Sequence, residues 1–499
     1  MTRPTTHALV SFGSTIAVLA LSCTALAQAT PLPESIPIGS FTFRPSVELR
    51  VRGEYREAPF DIGGAYFTSS AVLGDAYQSN LPPRFDAPTY MTPLYPNQWA
   101  ATSRARIGLG VDRGAVTAQL VLQDSRTYAG SNVVGFGITQ NEYFSSLGLF
   151  EGFIDIHSKK RSVWFRVGRQ RIVWGDGRLV GEGDFLQYPR AFDAARFGLS
   201  WKRFDVDAFA ALIGAGIGGL GIGGLGGLAG GASPSTNTSS AFPATTGSQL
   251  YGLRVAWHAM PLLNAEIGSL ARVVRAPVAN DLTPSDTFVL SARLSGDKRG
   301  FRYSVEGAYE LGRISSFEVN RDLRAFAAAG RATWETALPW HMTFGAEAAY
   351  ASGDDGSTDP AAVQTRFDPI TPDKRPGHNL MGLYAWSNSI VAGGDIAVRP
   401  AEPVGINVGY RFVGLAEPKG RWTSASLVAI GASSTNESHV LGHQLDLGVG
   451  MRFWQPLTID AGYGLFITGD GAKNILEASG RGRLSAQHFG YLQATLKAP

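Results

Sequence analysis

The side chains best equipped for chemistry in this sequence are arginines. Arg50 with Arg52, and Arg104 with Arg106, recur at alternate positions, which on a strand puts both members of a pair on one face. The densest charged stretch, Trp164 to Arg203, contains Arg166, Arg169, Arg171, Asp176, Arg178, Glu182, Asp184, Arg190, Asp193, Arg196, Lys202 and Arg203, punctuated by glycines. A guanidinium stays charged and forks onto carboxylates, so the set suits reversible contact with anions. Acidic neighbours such as Asp193, Asp205 and Asp207 can equally hold these arginines in place and brace a wall. Catalysis is not indicated, because no Ser/His/Asp order with a nucleophile motif, no phosphate loop and no Cys/His cluster occurs. His439 and His443 have the spacing of helical metal ligands, but Leu441 to Phe453 reads as a strand, so no metal site is expected. Ser352 to Asp359 is acidic without the fixed ligand spacing of a calcium hand and reads as an exposed loop. No cofactor is expected.

The elements that must carry these arginines alternate. From Val47 to Arg56 one face reads Val47, Leu49, Val51, Gly53, Tyr55 and the other Glu48, Arg50, Arg52, Glu54, Arg56. A strand charged at every inward position cannot face a dry core, so the sheet must enclose water, with its other face toward lipid. The pattern recurs at Arg104 to Val111 and Val116 to Gln123, joined by a turn at Asp112-Arg113-Gly114, and at Phe150 to His157, where Phe150, Gly152, Ile154 and Ile156 take the lipid side. It continues at Phe204 to Ala208, Phe301 to Leu311, Met342 to Tyr350, Val404 to Phe412, Gln444 to Phe453, Leu457 to Leu465 and Phe489 to Leu496. Short turns alternate with long Pro/Gly/Ser-rich connections at Pro59–Trp99, Gly175–Pro189, Gly214–Ser248, Gly353–Gly377 and Glu417–Glu437. The expected fold is all-β: a transmembrane antiparallel up-and-down barrel of about 18 strands, with 16 as the alternative. One phase conflict stands out. Val163, Phe165 and Val167 turn Arg166 inward, but strict alternation carries Arg169 and Arg171 into lipid at about 2–4 kcal/mol each, unless Gly168 bulges or the strand leaves the membrane.

Residues 1–27 read as a secretory leader, with Arg3, an apolar run from Ala8 to Cys23 and a small-residue cleavage site at Ala25-Leu26-Ala27. The remainder, 28–499, is expected to form a single barrel domain, with 214–248 as a Gly/Ser-rich loop. The whole chain carries 44 basic and 41 acidic residues; removing the leader takes Arg3 and the sole cysteine, leaving 43 against 41. Disulfide scaffolds are thereby excluded, and the near-neutral balance argues against nucleic acid as a partner. Although 44% of residues are hydrophobic, no apolar run beyond the leader reaches the length of a spanning helix. Alternating strands explain that combination, since each gives half its residues to lipid and half to water.

Several blocks in order resemble the bacterial alginate export family. They are GRQRIVWGDGRLVG (Gly168 to Gly181), RAFDAARFGLSWKRFDVDAFAA (Arg190 to Ala211), ASGDDGSTDP (Ala351 to Pro360) with Thr365 to Pro369, HVLGHQLDLGVGMRF (His439 to Phe453) and DAGYGLFITGD (Asp460 to Asp470). The resemblance implies an outer-membrane barrel of bacteria with an Arg-rich lumen and passive export of an anionic polyuronate. The substrate-facing residues are then expected to be Arg50, Arg52, Arg104, Arg106, Arg166, Arg169, Arg171, Arg190, Asp193 and Arg196. The partners expected are outer-membrane lipid and lipopolysaccharide, an anionic polysaccharide, and a periplasmic secretion-complex protein if the gradient alone does not drive export. The alternative function is an uptake porin for acidic sugars or organic anions.

Overall fold

The computed structural model describes residues 34–57, 97–129, 146–186, 189–212, 248–274, 285–316, 319–354, 362–373, 380–425, 427, 429–454, 456–479 and 482–499. The leader at 1–27, residues 59–96 of the first long connection, residues 214–247 of the Gly/Ser-rich segment and residues 355–360 of the acidic loop lie outside the described residues.

Alternation in the sequence becomes a closed antiparallel sheet. A short strand β1 (Ile36–Ile38) pairs with β2 (Phe41–Glu57), which begins the wall. The wall continues through β3 (Asn97–Arg113), β4 (Val116–Ala129), β5 (Ser146–His157), β6 (Val163–Gln170), β7 (Phe192–Trp201), β8 (Phe204–Leu212) and β9 (Ser248–Met260). Next come β10 (Leu263–Val274), β11 (Ser285–Lys298), β12 (Phe301–Ser316), β13 (Val319–Glu335), β14 (Thr343–Ala351), β15 (Ser389–Ala401) and β16 (Val404–Gly414). A small hairpin, β17 (Trp422–Thr423) with β18 (Ala429–Gly431), precedes the last wall strands β19 (Val440–Trp454), β20 (Leu457–Thr468) and β21 (Ala486–Ala498). Between β20 and β21 lies the one α-helix among the described residues, α1 (Asp470–Ala478). Each wall strand pairs with its sequence neighbours, and β21 pairs with β2 from Ala498↔Val47 to His488↔Glu57, which closes a barrel of eighteen strands.

The two ends of the barrel differ. At one end strands reverse within a few residues, as at Arg299-Gly300, where positive φ angles of 52° and 81° make the tight primed turn that matches strand twist. At the other end the connections are long, including 171–191, 352–388 and 415–439. The lipid face is apolar and bordered by aromatic rings. Phe301 and Trp334 pair across β12 and β13 near the short turns, and Tyr309, Phe326 and Tyr350 lie nearer the long loops. Phe301 and Tyr309 are eight residues apart, about 20 Å along the normal for a tilted strand, close to the roughly 25 Å apolar band of such barrels.

One strand departs from simple alternation. The β4–β5 register shifts between Val121 and Leu122, leaving Phe150 as the extra residue of a bulge. Phe150 was expected on the lipid side; the bulge turns it inward, where it is buried beneath the Arg106 guanidinium at 4.0 Å.

Val305 lies on the lipid face opposite Leu294, about midway through the apolar band. Val305→Arg should destabilise the barrel by about 2–4 kcal/mol in lipid vesicles, measured by reversible denaturant unfolding, and an effect under about 0.5 kcal/mol would contradict this placement.

Candidate functional site

A ring of eighteen strands is too wide to be filled by its own wall side chains. Here the connection after β6 folds inward and crosses it. From Gln170 the chain passes along the inner wall, where Trp174 is buried edge-on against Phe209 at 5.1 Å and donates from Nε1 to Asp207 at 3.1 Å. It reaches Asp176, whose carboxylate accepts from Arg293 of β11 and Ser304 of β12, both at 2.7 Å. Eight residues later Asp184 lies against β2 and β3, accepting from Arg106 at 3.0 Å and pairing with Arg104 at 3.1 Å. Strands β2 and β11 are nine steps apart in a ring of eighteen, so the segment from Asp176 to Asp184 spans the lumen from one wall to the opposite one. At its start residues 174–180 form a tight turn, with the Trp174 N–H donating to the Val180 carbonyl and the Gly177 N–H to the Trp174 carbonyl.

Glycines let this segment make its turn and its close packing. Gly177 has φ +75°, a left-handed value costly for other residues, and a Cβ on Gly181 would lie 2.6 Å from the Asp373 nitrogen. That close approach seats a second inward loop. Backbone bonds run from Gly181 to Thr371, Thr371 to Leu179 and Asp373 to Gly177, each at 2.8–3.0 Å, giving the segment a two-stranded character in mid-lumen. We call the segment 171–186 the strut.

Both ends of the strut are clamped by charge-assisted hydrogen bonds. Arg50 donates to the carbonyls of Asp184 at 2.8 Å and Leu186 at 2.7 Å, and Arg52 donates to the Phe185 carbonyl at 2.7 Å. Arg104 is fully buried between Glu48, at 2.5 Å, and the Asp184 carbonyl, at 3.0 Å. At the opposite wall the Asp176 contact terminates a relay along the inner face. Arg196 forks onto Asp207 at 2.8 and 2.6 Å, Arg254 joins Asp207 to Glu266, and Arg293 joins Glu266 to Asp176. Burial works against the charge of Asp184, but Arg104, Arg106 and Arg50 outweigh it and hold its pKa at about 2. Burial likewise opposes ionisation of Asp176, and its bonds from Ser304 and Arg293 bring the pKa below the ordinary range.

The ten expected residues thus separate into groups. Arg50, Arg52, Arg104 and Arg106 converge on the strut tip. Arg166 bonds Asp155 at 2.7 Å and stacks over Phe153, and Arg196 enters the relay, so each has a wall carboxylate. Arg190 donates to the carbonyls of Gly181 and Thr371, tying the two inward loops together. Pairing passes Gly168 without a register shift, so Arg169, bonded to Asp193 at 3.0 Å, keeps the outward parity of Val167 and Phe197. The conflict at Arg171 is resolved differently: β6 ends at Gln170, and Arg171 turns inward to Glu151 and Glu182 at 3.1 and 3.2 Å.

Sequence reasoning missed a third cluster. Arg331 and Arg411 share Glu347 and Asp395, and Arg411 also meets Asp446 at 3.4 Å. Arg411 is the one charged residue of β16, and Arg331 lies ten positions from Arg321 on β13, so no local density marked them. Beside this cluster lies a small pocket, open to solvent and lined by Arg178, Glu347, Asp373, Tyr384, Trp386 and Ser389. No metal-binding group occurs among the described residues: His439 bonds the Leu415 carbonyl and His443 bonds the Tyr410 hydroxyl.

A sequence profile described as alginate export matches residues 101–212 and 275–483. The chain belongs to the alginate export family. No curated protein matches it significantly in sequence. Among solved structures it is similar to Pseudomonas aeruginosa OccK9 (OpdG), at 10% identity and TM-score 0.52 over 92% of this chain and 98% of that one. It is also similar to Pseudomonas aeruginosa OccK3 (OpdO), at 10% identity and TM-score 0.51 over 91% and 95%. At these identities the likeness is one of fold, so this member of the alginate export family shares a barrel architecture with them.

Because the Asp184 pKa lies below the ordinary value of about 3.9, its clamp is fully present above that value and is lost as pH falls toward about 2. The Asp184-dependent part of the conductance, taken as the difference between wild type and Asp184→Asn in planar bilayers, should therefore be flat from pH 7 to 5 and change only on further acidification; a transition of that difference near pH 6 would contradict the Asp184 assignment.

Proposed function

We propose that this protein is a bacterial outer-membrane channel that passes an alginate-like polyuronate outward, by diffusion and without catalysis. Membership of the alginate export family and the closed barrel support the channel. The observation that carries the anionic substrate is the distribution of lumenal guanidiniums in three clusters, at the strut tip, along the β7–β11 relay and at Arg331–Arg411. Carboxylates match the guanidiniums of the relay, where Asp207, Glu266 and Asp176 meet Arg196, Arg254 and Arg293, and outnumber them where Glu347, Asp395 and Asp446 meet Arg331 and Arg411; this keeps the potential moderate, and a polymer held weakly at successive sites can both enter and leave. Arg171, half-exposed, and Arg178, lining the open pocket, are cations within reach of a passing carboxylate. Lipopolysaccharide around the aromatic-bordered wall and a periplasmic secretion protein at the short-turn end complete the reading.

Purified protein in planar bilayers should prefer anions in a salt gradient and show transient block by oligouronates. Replacing both cations, Arg171→Gln with Arg178→Gln, should raise the half-blocking concentration about tenfold. A cation-preferring pore indifferent to oligouronates would exclude the proposed substrate.

A further inference from the structure

The four arginines at the strut tip meet an unusual ligand. Within three residues, Asp184 to Leu186, the chain offers them one carboxylate and three carbonyl oxygens, and the Phe185 ring lies beneath the Arg52 guanidinium at 4.2 Å. A uronate residue in a polymer presents the same elements: one carboxylate, several neutral oxygen acceptors and an apolar face. The carbonyls satisfy the guanidinium N–H groups without neutralising them. Arg104 is inaccessible, whereas the Asp184 side chain is 39% exposed, so the ligand rather than the receptor is the part open to exchange.

We propose that Arg50, Arg52, Arg104 and Arg106 form a uronate-binding site that the chain's own Asp184–Leu186 segment occupies, and that an incoming carboxylate displaces it. The site rests on the polyuronate reading above and gives it a resting state. The strut tip acts as an internal pseudo-substrate, and its release widens the passage only when polymer is present. Glu48 keeps two of the guanidiniums in position after the exchange, through Arg104 and Arg106.

Two variants test this by oligouronate block in planar bilayers. Asp184→Asn weakens the occupant while leaving the arginines, and should lower the half-blocking concentration about tenfold. A second variant carries Phe185→Cys with Tyr491→Cys, replacing rings whose centroids lie 5.3 Å apart. Joined by a short bis-thiol-reactive linker, it holds the tip on the wall; block should then weaken at least tenfold, and return when a cleavable linker is cut. Wild-type block that neither variant alters would overturn the internal occupant and leave the channel reading standing. An absence of block in wild type and both variants would overturn both.

Discussion

A guanidinium removed from bulk water needs acceptors to offset its desolvation, and that requirement organises this barrel. Its wall is charged inward at many positions, and the lumen is too wide for opposite walls to meet. The solutions are lateral, as where Arg196 forks onto Asp207 of the next strand, or transverse, as where the strut brings carbonyls and a carboxylate to Arg50, Arg52, Arg104 and Arg106. The lateral relay ends on Asp176 and the transverse clamp on Asp184, so one eight-residue crossing couples two opposite arcs of wall.

The rest of the lumen is shaped around that crossing. Where the inward loops press against the wall, the inner face is small and apolar: Ala325, Ala327 and Ala329 on β13 are buried with Leu179, Val180, Phe367 and Ile370 of the two loops. Farther round, Met381, Leu383, Trp422 and Phe466 bury one face of α1 through Ile475 and Leu476, so the long-loop end beside β19–β21 is packed like a core. Polar and apolar inner positions share strands: Arg196 and Asp207 of the relay lie on β7 and β8 together with the buried Ala194 and Phe209.

Much of this architecture was legible in the chain. The Val47 to Arg56 alternation predicted which face of β2 turns inward, and Glu48, Arg50 and Arg52 are indeed buried there. Period is blind to insertions, however: one extra residue opposite Val121–Leu122 reversed Phe150, and no spacing in the sequence announced it. The charged run from Arg166 to Arg203 marked the site correctly as a region, but the period said nothing about which charges would meet. Arg169 and Arg171, two residues apart, end on different faces because the strand stops between them. Arg50 and Asp184 meet across 134 positions. The glycines at 175, 177, 181 and 183 were the available signal that this loop bends sharply and packs closely.

The central claim is that residues 171–186 form a folded crossing of the lumen. Hydrogen exchange read by mass spectrometry on the protein in lipid nanodiscs tests it directly. Amides of Trp174, Gly177 and Gly181 donate to the carbonyls of Val180, Trp174 and Thr371, so peptides covering 172–186 should exchange as slowly as those from the barrel strands. Complete exchange within seconds, as for an exposed loop, would contradict the crossing and the clamp at both its ends.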